Sequence, residues 1–251
     1  VGKSGTRKEE LLVEKDKLKP KKLEKILSMK PRIEKVIVKD AKQRTFIADS
    51  TSRGQLVSHV YDITYGIINN DKDTIVLIDD SIVRGTTLRD SILQIVSRLR
   101  PKKIIVVSSA PQIRYPDCYG IDMSIMGDFV AFRALIALLK ENNKEHRLEE
   151  TYQRCQEELQ KDMAEMKNAV QDLYEEFSYE EVSAKIAEII TPRGIKPEVE
   201  IIYQTVEGLH EAIHHHNGDW YFSGNYPTPG GNRVVNRSFI NFMDGINERA
   251  Y

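Results

Sequence analysis

The segment IVLIDDSIVRGTT, residues 75–87, joins four apolar residues to two adjacent aspartates and a short loop of mostly small and polar residues. The β-branched run predicts a strand that is buried on both faces within a parallel sheet. Asp79 and Asp80 then lie at the carboxyl end of this strand, where open parallel sheets bind their ligands. Because adjacent carboxylates repel each other, the pair indicates a site for Mg²⁺ or for sugar hydroxyls.

The loop after the aspartates predicts an anion site. It leads into residues 86–100, TTLRDSILQIVSRLR, whose apolar residues have helical spacing. The start of a helix has unpaired N–H groups and the positive end of the helix dipole. Gly85 permits close backbone approach or a positive φ, and Thr86 and Thr87 add hydroxyl groups. Alternatively, Asp80 caps a turn and the threonines cap the helix. The whole pattern favours a phosphorylated pentose as the ligand.

The flanking sequence predicts an α/β fold. A second apolar strand at 102–111 follows the helix, so that strand, helix and strand form a parallel crossover unit. Beyond a helix at 129–140, apolar residues at steps of three and four predict one long amphipathic helix over 145–177. Its apolar stripe packs within the chain or forms a coiled-coil dimer. The remaining segments predict a short strand at 35–40, a capped helix at 178–190, a turn, strand and helix at 191–212, and a turn-rich tail.

The composition excludes several classes of partner. The 251 residues carry a formal net charge of -1, which argues against bulk electrostatic binding to nucleic acid or to an anionic membrane. No apolar run is long enough to span a bilayer. Cys118 and Cys155 lack metal-ligand spacing, and we expect two free thiols and a cytoplasmic location. Because the chain begins at Val1, we expect it to be a piece of a longer protein.

Three motifs, in order along the chain, resemble one family. Residues 75–87 are similar to the phosphoribosyl-pyrophosphate (PRPP) signature of type I phosphoribosyltransferases. The segment SSAPQIRYPDCYGIDM, residues 108–123, resembles the stretch that follows this signature in glutamine PRPP amidotransferases. The motif RTFI, residues 44–47, resembles the entry to their flexible catalytic loop. The resemblance implies a type I phosphoribosyltransferase-like parallel sheet with flanking helices in a truncated domain at 1–140. We expect residues 141–251 to form the long helix and a helical and α+β C-terminal extension.

The resemblance also implies a reaction and a set of site residues. In this family, ammonia derived from glutamine displaces pyrophosphate from PRPP and gives 5-phosphoribosylamine for de novo purine biosynthesis, which makes the parent protein a glycosyltransferase. By resemblance, Asp79 and Asp80 bind Mg²⁺ and, together with Arg44, are catalytic. The expected 5′-phosphate loop consists of Ser81, Ile82, Val83, Arg84, Gly85, Thr86 and Thr87.

Two features of the chain depart from this family. No cysteine precedes Cys118, so the glutaminase nucleophile is missing from this sequence. We therefore expect ammonia from a glutaminase domain of the same parent chain, or free ammonia. The loop after RTFI, residues 48–59, offers only Arg53 and His59 as cations. The alternative function is accordingly a non-catalytic sensor of PRPP or a nucleotide. PRPP is the expected small-molecule partner, homo-oligomers remain an option, and neither nucleic acid nor membrane is expected.

Overall fold

The computed structural model describes residues 24, 27–29, 37–39, 61–64, 66–118, 123–214 and 218–250. Strands β1 (Ile37–Lys39) and β2 (Tyr61–Ile63) pair in antiparallel fashion, so the short strand expected at 35–40 is confirmed. The RTFI motif and Arg44 lie outside the described residues.

The main sheet has three parallel strands in the order β3-β4-β5. These are β3 (Thr74–Asp79), β4 (Lys103–Ser108) and β5 (Glu198–Tyr203). In the pairing register Asp79 lies beside Ser108, and Ser108 lies beside Tyr203, so all three strands end at one edge. The predicted α/β class, with a parallel sheet and flanking helices, is confirmed.

The helices are distributed over both halves of the chain. In the described residues they are α1 (Leu93–Ser97), which continues a π-helical turn over Leu88–Ile92, α2 (Val130–Glu141), α3 (His146–Glu158), α4 (Gln171–Tyr174), α5 (Tyr179–Ile190), α6 (Val206–Ala212), α7 (Trp220–Ser223) and α8 (Pro229–Met243). Short 3₁₀ turns occupy Met126–Asp128 and Met163–Glu165. None of the helices in these described parts of the chain has the length and apolar character needed to cross a membrane.

One face of the main sheet forms the first hydrophobic core with α1, α2 and α5. The expectation that the first strand is buried on both faces is wrong. Ile75 is buried, whereas the side chains of Val76 and Ile78 are 41% and 78% exposed. Successive side chains of a strand point to opposite faces, and the three helices all pack on the face of Ile75. No described helix covers the other face.

The C-terminal half of the chain contributes to this same core. Strand β5 completes the sheet, and Val182 and Ile186 of α5 pack in the cluster with Ile75. The capped start of α5 is confirmed, because the Ser178 hydroxyl accepts the N–H of Glu181 and the Glu181 carboxylate accepts the N–H of Ser178. The domain boundary between 140 and 141 stays a prediction.

The single long helix expected over 145–177 is wrong. Helix α3 ends at Glu158, and Asp162 has a non-helical backbone with φ −57° and ψ 141°. The Glu158 carboxylate accepts the N–H of Lys167 at 2.7 Å and so stabilises the turn that follows the helix. The apolar residues beyond this break lie in a second core, where Leu173 packs with residues of α8. Much of the apolar stripe is therefore buried within the chain.

Helix α8 was not expected in the turn-rich tail. Pro229 occupies its first turn, where the missing N–H costs nothing, and Val235 and Phe239 are fully buried in the second core. Asn236 is also fully buried, and its side-chain amide accepts the N–H of Ala169 and donates to a backbone carbonyl. Glycines and asparagines obscured the helical spacing, although the Thr-Pro start and the spacing from Val235 to Phe239 were usable signals.

Candidate functional site

The two aspartates lie at the carboxyl edge of the main sheet. Asp79 is the last residue of β3, and Asp80 follows it directly. The segment after β4 holds both backbone carbonyls, because Ser109 N–H donates to Asp79 O and Ala110 N–H donates to Asp80 O, each at 3.0 Å. The adjacent strand thus determines the position of the pair, and both carboxylates stand where the loop of residues 81–87 begins.

The two carboxylates have different surroundings. Asp79 is half-buried and Asp80 is exposed. Asp79 Oδ1 accepts the N–H of Asp80 at 3.1 Å, and Asp80 Oδ1 accepts the N–H of Ser81 at 2.7 Å. Burial raises the pKa of Asp79 above its ordinary value, the hydrogen bond from Asp80 N–H lowers it, and the Asp80 charge raises it again. A bound cation would favour the charged form of Asp79 and so lower this pKa.

The pair has the donor atoms that Mg²⁺ accepts. Within the described ranges no group of three or more His, Cys, Asp or Glu side chains converges on one point, so Asp79 and Asp80 are a two-carboxylate donor set. Mg²⁺ is commonly bound by one or two carboxylates and completes its shell with waters and substrate phosphate oxygens. One oxygen of each carboxylate accepts a backbone N–H. The pair therefore fits Mg²⁺, and its role as the metal site stays a prediction.

The loop of residues 81–87 joins β3 to the following helix and is anchored by Ile82, which is buried in the first core. Gly85 has φ +69°, the left-handed conformation that favours glycine. At the start of the following helix, the N–H of Arg89 donates to Gly85 O at 3.0 Å. Thr87 is helical, and its hydroxyl caps no N–H group among the described residues. The alternative that Thr87 merely caps the helix is therefore not supported.

Residues of helix α2 and of the turn before it form hydrogen bonds and an ion pair with this loop. Val130 N–H donates to Val83 O at 2.8 Å, and Arg133 Nη2 donates to Arg84 O at 2.6 Å. The Arg84 guanidinium forms an ion pair with Asp128 at 3.0 Å. The sequence interpretation missed these contacts, because Arg133 lies 49 residues beyond Arg84 and nothing in the pattern of 129–140 distinguishes it from an ordinary buried helix.

The described part of the motif at 108–123, which is residues 108–118 and 123, is bound to the C-terminal half of the chain, and residues 119–122 lie outside the described residues. Gln112 is buried, and its side-chain nitrogen donates to the backbone carbonyl of Tyr179 at 2.9 Å. Gln112 Oε1 in turn accepts two hydrogen bonds from Arg114, at 3.0 and 2.8 Å. The Arg114 guanidinium lies over the rings of Tyr174 and Tyr179, at 4.8 and 5.0 Å from their centroids. This motif therefore connects the sheet edge to α4 and α5.

Comparison with known proteins gives similarity over part of the chain. No family model matches it. The chain is 47% identical over 58 residues to an amidophosphoribosyltransferase of Pasteurella multocida. The matched stretch covers 23% of this chain and 11% of that protein. It is 41% identical over 90 residues to the amidophosphoribosyltransferase of Haemophilus influenzae, covering 36% and 17%. For that of Escherichia coli the identity is 44% over 57 residues, covering 23% and 11%.

A solved structure was also found, the glutamine PRPP amidotransferase from B. subtilis complexed with ADP and GMP. The identity is 23% and the TM-score is 0.40, over 77% of this chain and 32% of that chain. The matched segments span only 11% to 17% of the length of the curated relatives. The resemblance expected from the sequence motifs is nevertheless confirmed: over 57 to 90 residues, this chain is similar to amidophosphoribosyltransferases.

Proposed function

We propose that this chain is the PRPP-binding part of an amidophosphoribosyltransferase of de novo purine biosynthesis. The observation that supports the proposal most directly is that two carboxylates and a loop with a left-handed glycine lie together at one sheet edge. Asp79 and Asp80 end strand β3, and the loop of residues 81–87 begins beside them with the left-handed Gly85 near its end. The similarity to named amidophosphoribosyltransferases supports the same reaction.

The arrangement suits a ribose whose 5′-phosphate lies in the loop. Backbone N–H groups of residues 81–87 and the start of the following helix would bind the phosphate. Asp79 and Asp80 would then lie beside the ribose ring, where their negative charge stabilises the positive charge that develops at C1 as pyrophosphate leaves. Mg²⁺, held by the same two carboxylates, would supply positive charge for the departing pyrophosphate. No covalent intermediate with the protein is needed.

The incoming nucleophile would be ammonia, and the Cys155 thiol is a poor candidate for releasing it from glutamine. Burial raises the pKa of Cys155 to about 12, so this thiol stays protonated near neutral pH. Ammonia would come from a glutaminase domain of the same parent protein or from solution. We place the reaction in the cytoplasm, and assembly into a homo-oligomer is part of the proposal.

Two measurements test this function. Calorimetry with PRPP and Mg²⁺ should detect binding to the chain, and the double variant Asp79→Asn/Asp80→Asn should lose it while its circular dichroism is unchanged. Unchanged affinity in that variant would refute the site. In the longer parent protein, release of pyrophosphate from PRPP that depends on added ammonia would support the transferase, whereas PRPP binding without any release would favour the sensor. Asp162→Asn, an exposed change beyond α3, is the matched control and should bind like the unmodified chain.

A further inference from the structure

Helix α2 provides the only described side chain that donates a hydrogen bond to a carbonyl group of the phosphate loop. We propose that Arg133 is a positioning residue for the 5′-phosphate: its guanidinium holds the Arg84 carbonyl and thereby directs the N–H of Gly85 towards the phosphate. This inference rests on the proposed function, since it names a residue that prepares the same site. Arg133 itself need not touch the ligand.

The peptide group between Arg84 and Gly85 has a fixed orientation. Arg133 Nη2 lies 2.6 Å from Arg84 O, so this carbonyl points at α2. The peptide bond is trans, and in a planar trans peptide the C=O and the N–H point in opposite directions. The N–H of Gly85 therefore points away from α2. By the same reasoning, the bond from Val130 N–H to Val83 O directs the N–H of Arg84 away from α2.

Two consecutive N–H groups thus point to one side of the loop. Neither the N–H of Arg84 nor that of Gly85 donates to another described residue. Successive N–H groups beside a residue in the left-handed conformation form a concave anion site, and Gly85 has φ +69°. The carbonyl groups of Val83 and Arg84, which would repel an anion, point to the opposite side and accept hydrogen bonds from α2. The helix therefore orients the loop for an anion before any ligand binds.

The surroundings of Arg133 explain why an arginine suits this position. The side chain is half-buried, and burial foremost, followed by the nearby Arg89, lowers its pKa, although a guanidinium stays charged at neutral pH. Arg84 is paired with Asp128 and Arg89 with Asp90, so neither competes for the Arg84 carbonyl. The long side chain lets the planar guanidinium reach that carbonyl from α2.

The test uses ribose 5-phosphate as the probe and the full chain as the protein. We expect Arg133→Met to weaken binding by roughly ten- to a hundredfold, the usual effect of one hydrogen bond to a charged group. In addition, the Gly85 amide resonance should shift when the unmodified chain is saturated with ribose 5-phosphate, and this shift should be lost in Arg133→Met. The control is Arg154→Met, which removes an exposed arginine paired with Asp172 on the other core and should change neither quantity.

The possible results separate the two ideas. If the unmodified chain does not bind ribose 5-phosphate, the proposed function fails, and this inference fails with it. If it binds and Arg133→Met binds equally well, only the inference is refuted. Weaker binding with an unaltered Gly85 shift at saturation would also refute positioning, because it would show that Arg133 acts through its charge alone. Should Arg133→Met not fold, Arg133→Leu decides, since it also removes the donor to the Arg84 carbonyl: a reduced Gly85 shift supports the inference and an unaltered shift refutes it.

Discussion

Gly85 packs directly against Ile190, so that a Cβ atom at Gly85 would lie 2.7 Å from Ile190 Cγ2. Gly85 belongs to the loop of residues 81–87, and Ile190 is the last residue of α5, more than one hundred residues further along the chain. A separation below 3.0 Å is not tolerated between carbon atoms, so one of the two groups must move if glycine is replaced. The C-terminal half of the chain therefore helps to shape the loop.

This contact predicts an unusually harmful glycine substitution. We expect Gly85→Ala to lower the free energy of unfolding by on the order of 2–4 kcal/mol, because overpacking adds to the cost of a positive φ. Gly194→Ala is the matched control, since Gly194 also has a positive φ, +83°, but has open space around its Cβ position. It should cost about 1 kcal/mol. Urea denaturation measures both values, and equal costs would contradict the importance of Ile190.

A double-mutant cycle tests the same contact from the other side. Ile190→Ala should lower the free energy of unfolding by about 2–5 kcal/mol, because it opens a cavity in the first core. In that background Gly85→Ala should cost less than it does alone, since the added methyl group can occupy the vacated space. Strictly additive free energies would mean that the two residues do not compete for one space. Gly194→Ala paired with Ile190→Ala should be additive.

The raised pKa of Asp79 predicts that its ionised carboxylate destabilises the ligand-free folded chain. A carboxyl group whose pKa is raised by folding binds its proton more tightly in the folded chain, so the folded state loses stability as pH rises from the unfolded value towards the folded value. Above that window the ionised group remains a penalty. Asp79→Asn should therefore raise the melting temperature of the ligand-free chain at pH 7, and this gain should shrink when the melting scan is repeated near pH 3.5. A lower melting temperature at pH 7 would contradict the prediction.

The Asp80 carboxylate, next to Asp79, should change the pH dependence of Mg²⁺ binding. At the proposed metal site, protons would compete with Mg²⁺ for Asp79, so the affinity for PRPP with Mg²⁺ should fall as pH drops towards the raised pKa of this group. Asp80→Asn removes the Asp80 charge, one of the causes of the rise, and should move the remaining decline to lower pH. Calorimetric titrations over a pH series would measure the shift. A decline that stays at the same pH would show that burial alone raises this pKa.

A buried amide predicts the most costly polar substitution in the second core. Asn236 Oδ1 accepts the N–H of Ala169 at 3.1 Å, and its Nδ2 donates to Lys167 O at 2.7 Å. Asn236→Ala would leave both backbone groups without their partner in a buried site, and we expect a loss on the order of 3 kcal/mol in the free energy of unfolding. Asn247→Ala, an exposed change near the end of the chain, should be neutral within about 0.5 kcal/mol. A similar cost for both would show that water replaces the lost amide.

Features that depend on near neighbours in the chain could be predicted. The β-branched run before Asp79 predicted strand β3, and Ser178 with Glu181 predicted the capped start of α5. Features that depend on a distant partner could not. The break after Glu158 depends on the N–H of Lys167 and on packing against α8, and the apolar spacing alone continued smoothly through it.

The amino-acid sequence by itself determined the strand, the two aspartates at its end and the small-residue loop, because strand period, side-chain chemistry and turn preference act over a few residues. Only the tertiary structure decided that one sheet face carries the helices and that Val130, Arg133 and Ile190 contact the loop of residues 81–87. Those contacts join residues far apart in the chain. They arise from how the helices pack on the sheet, which no local pattern of residues specifies.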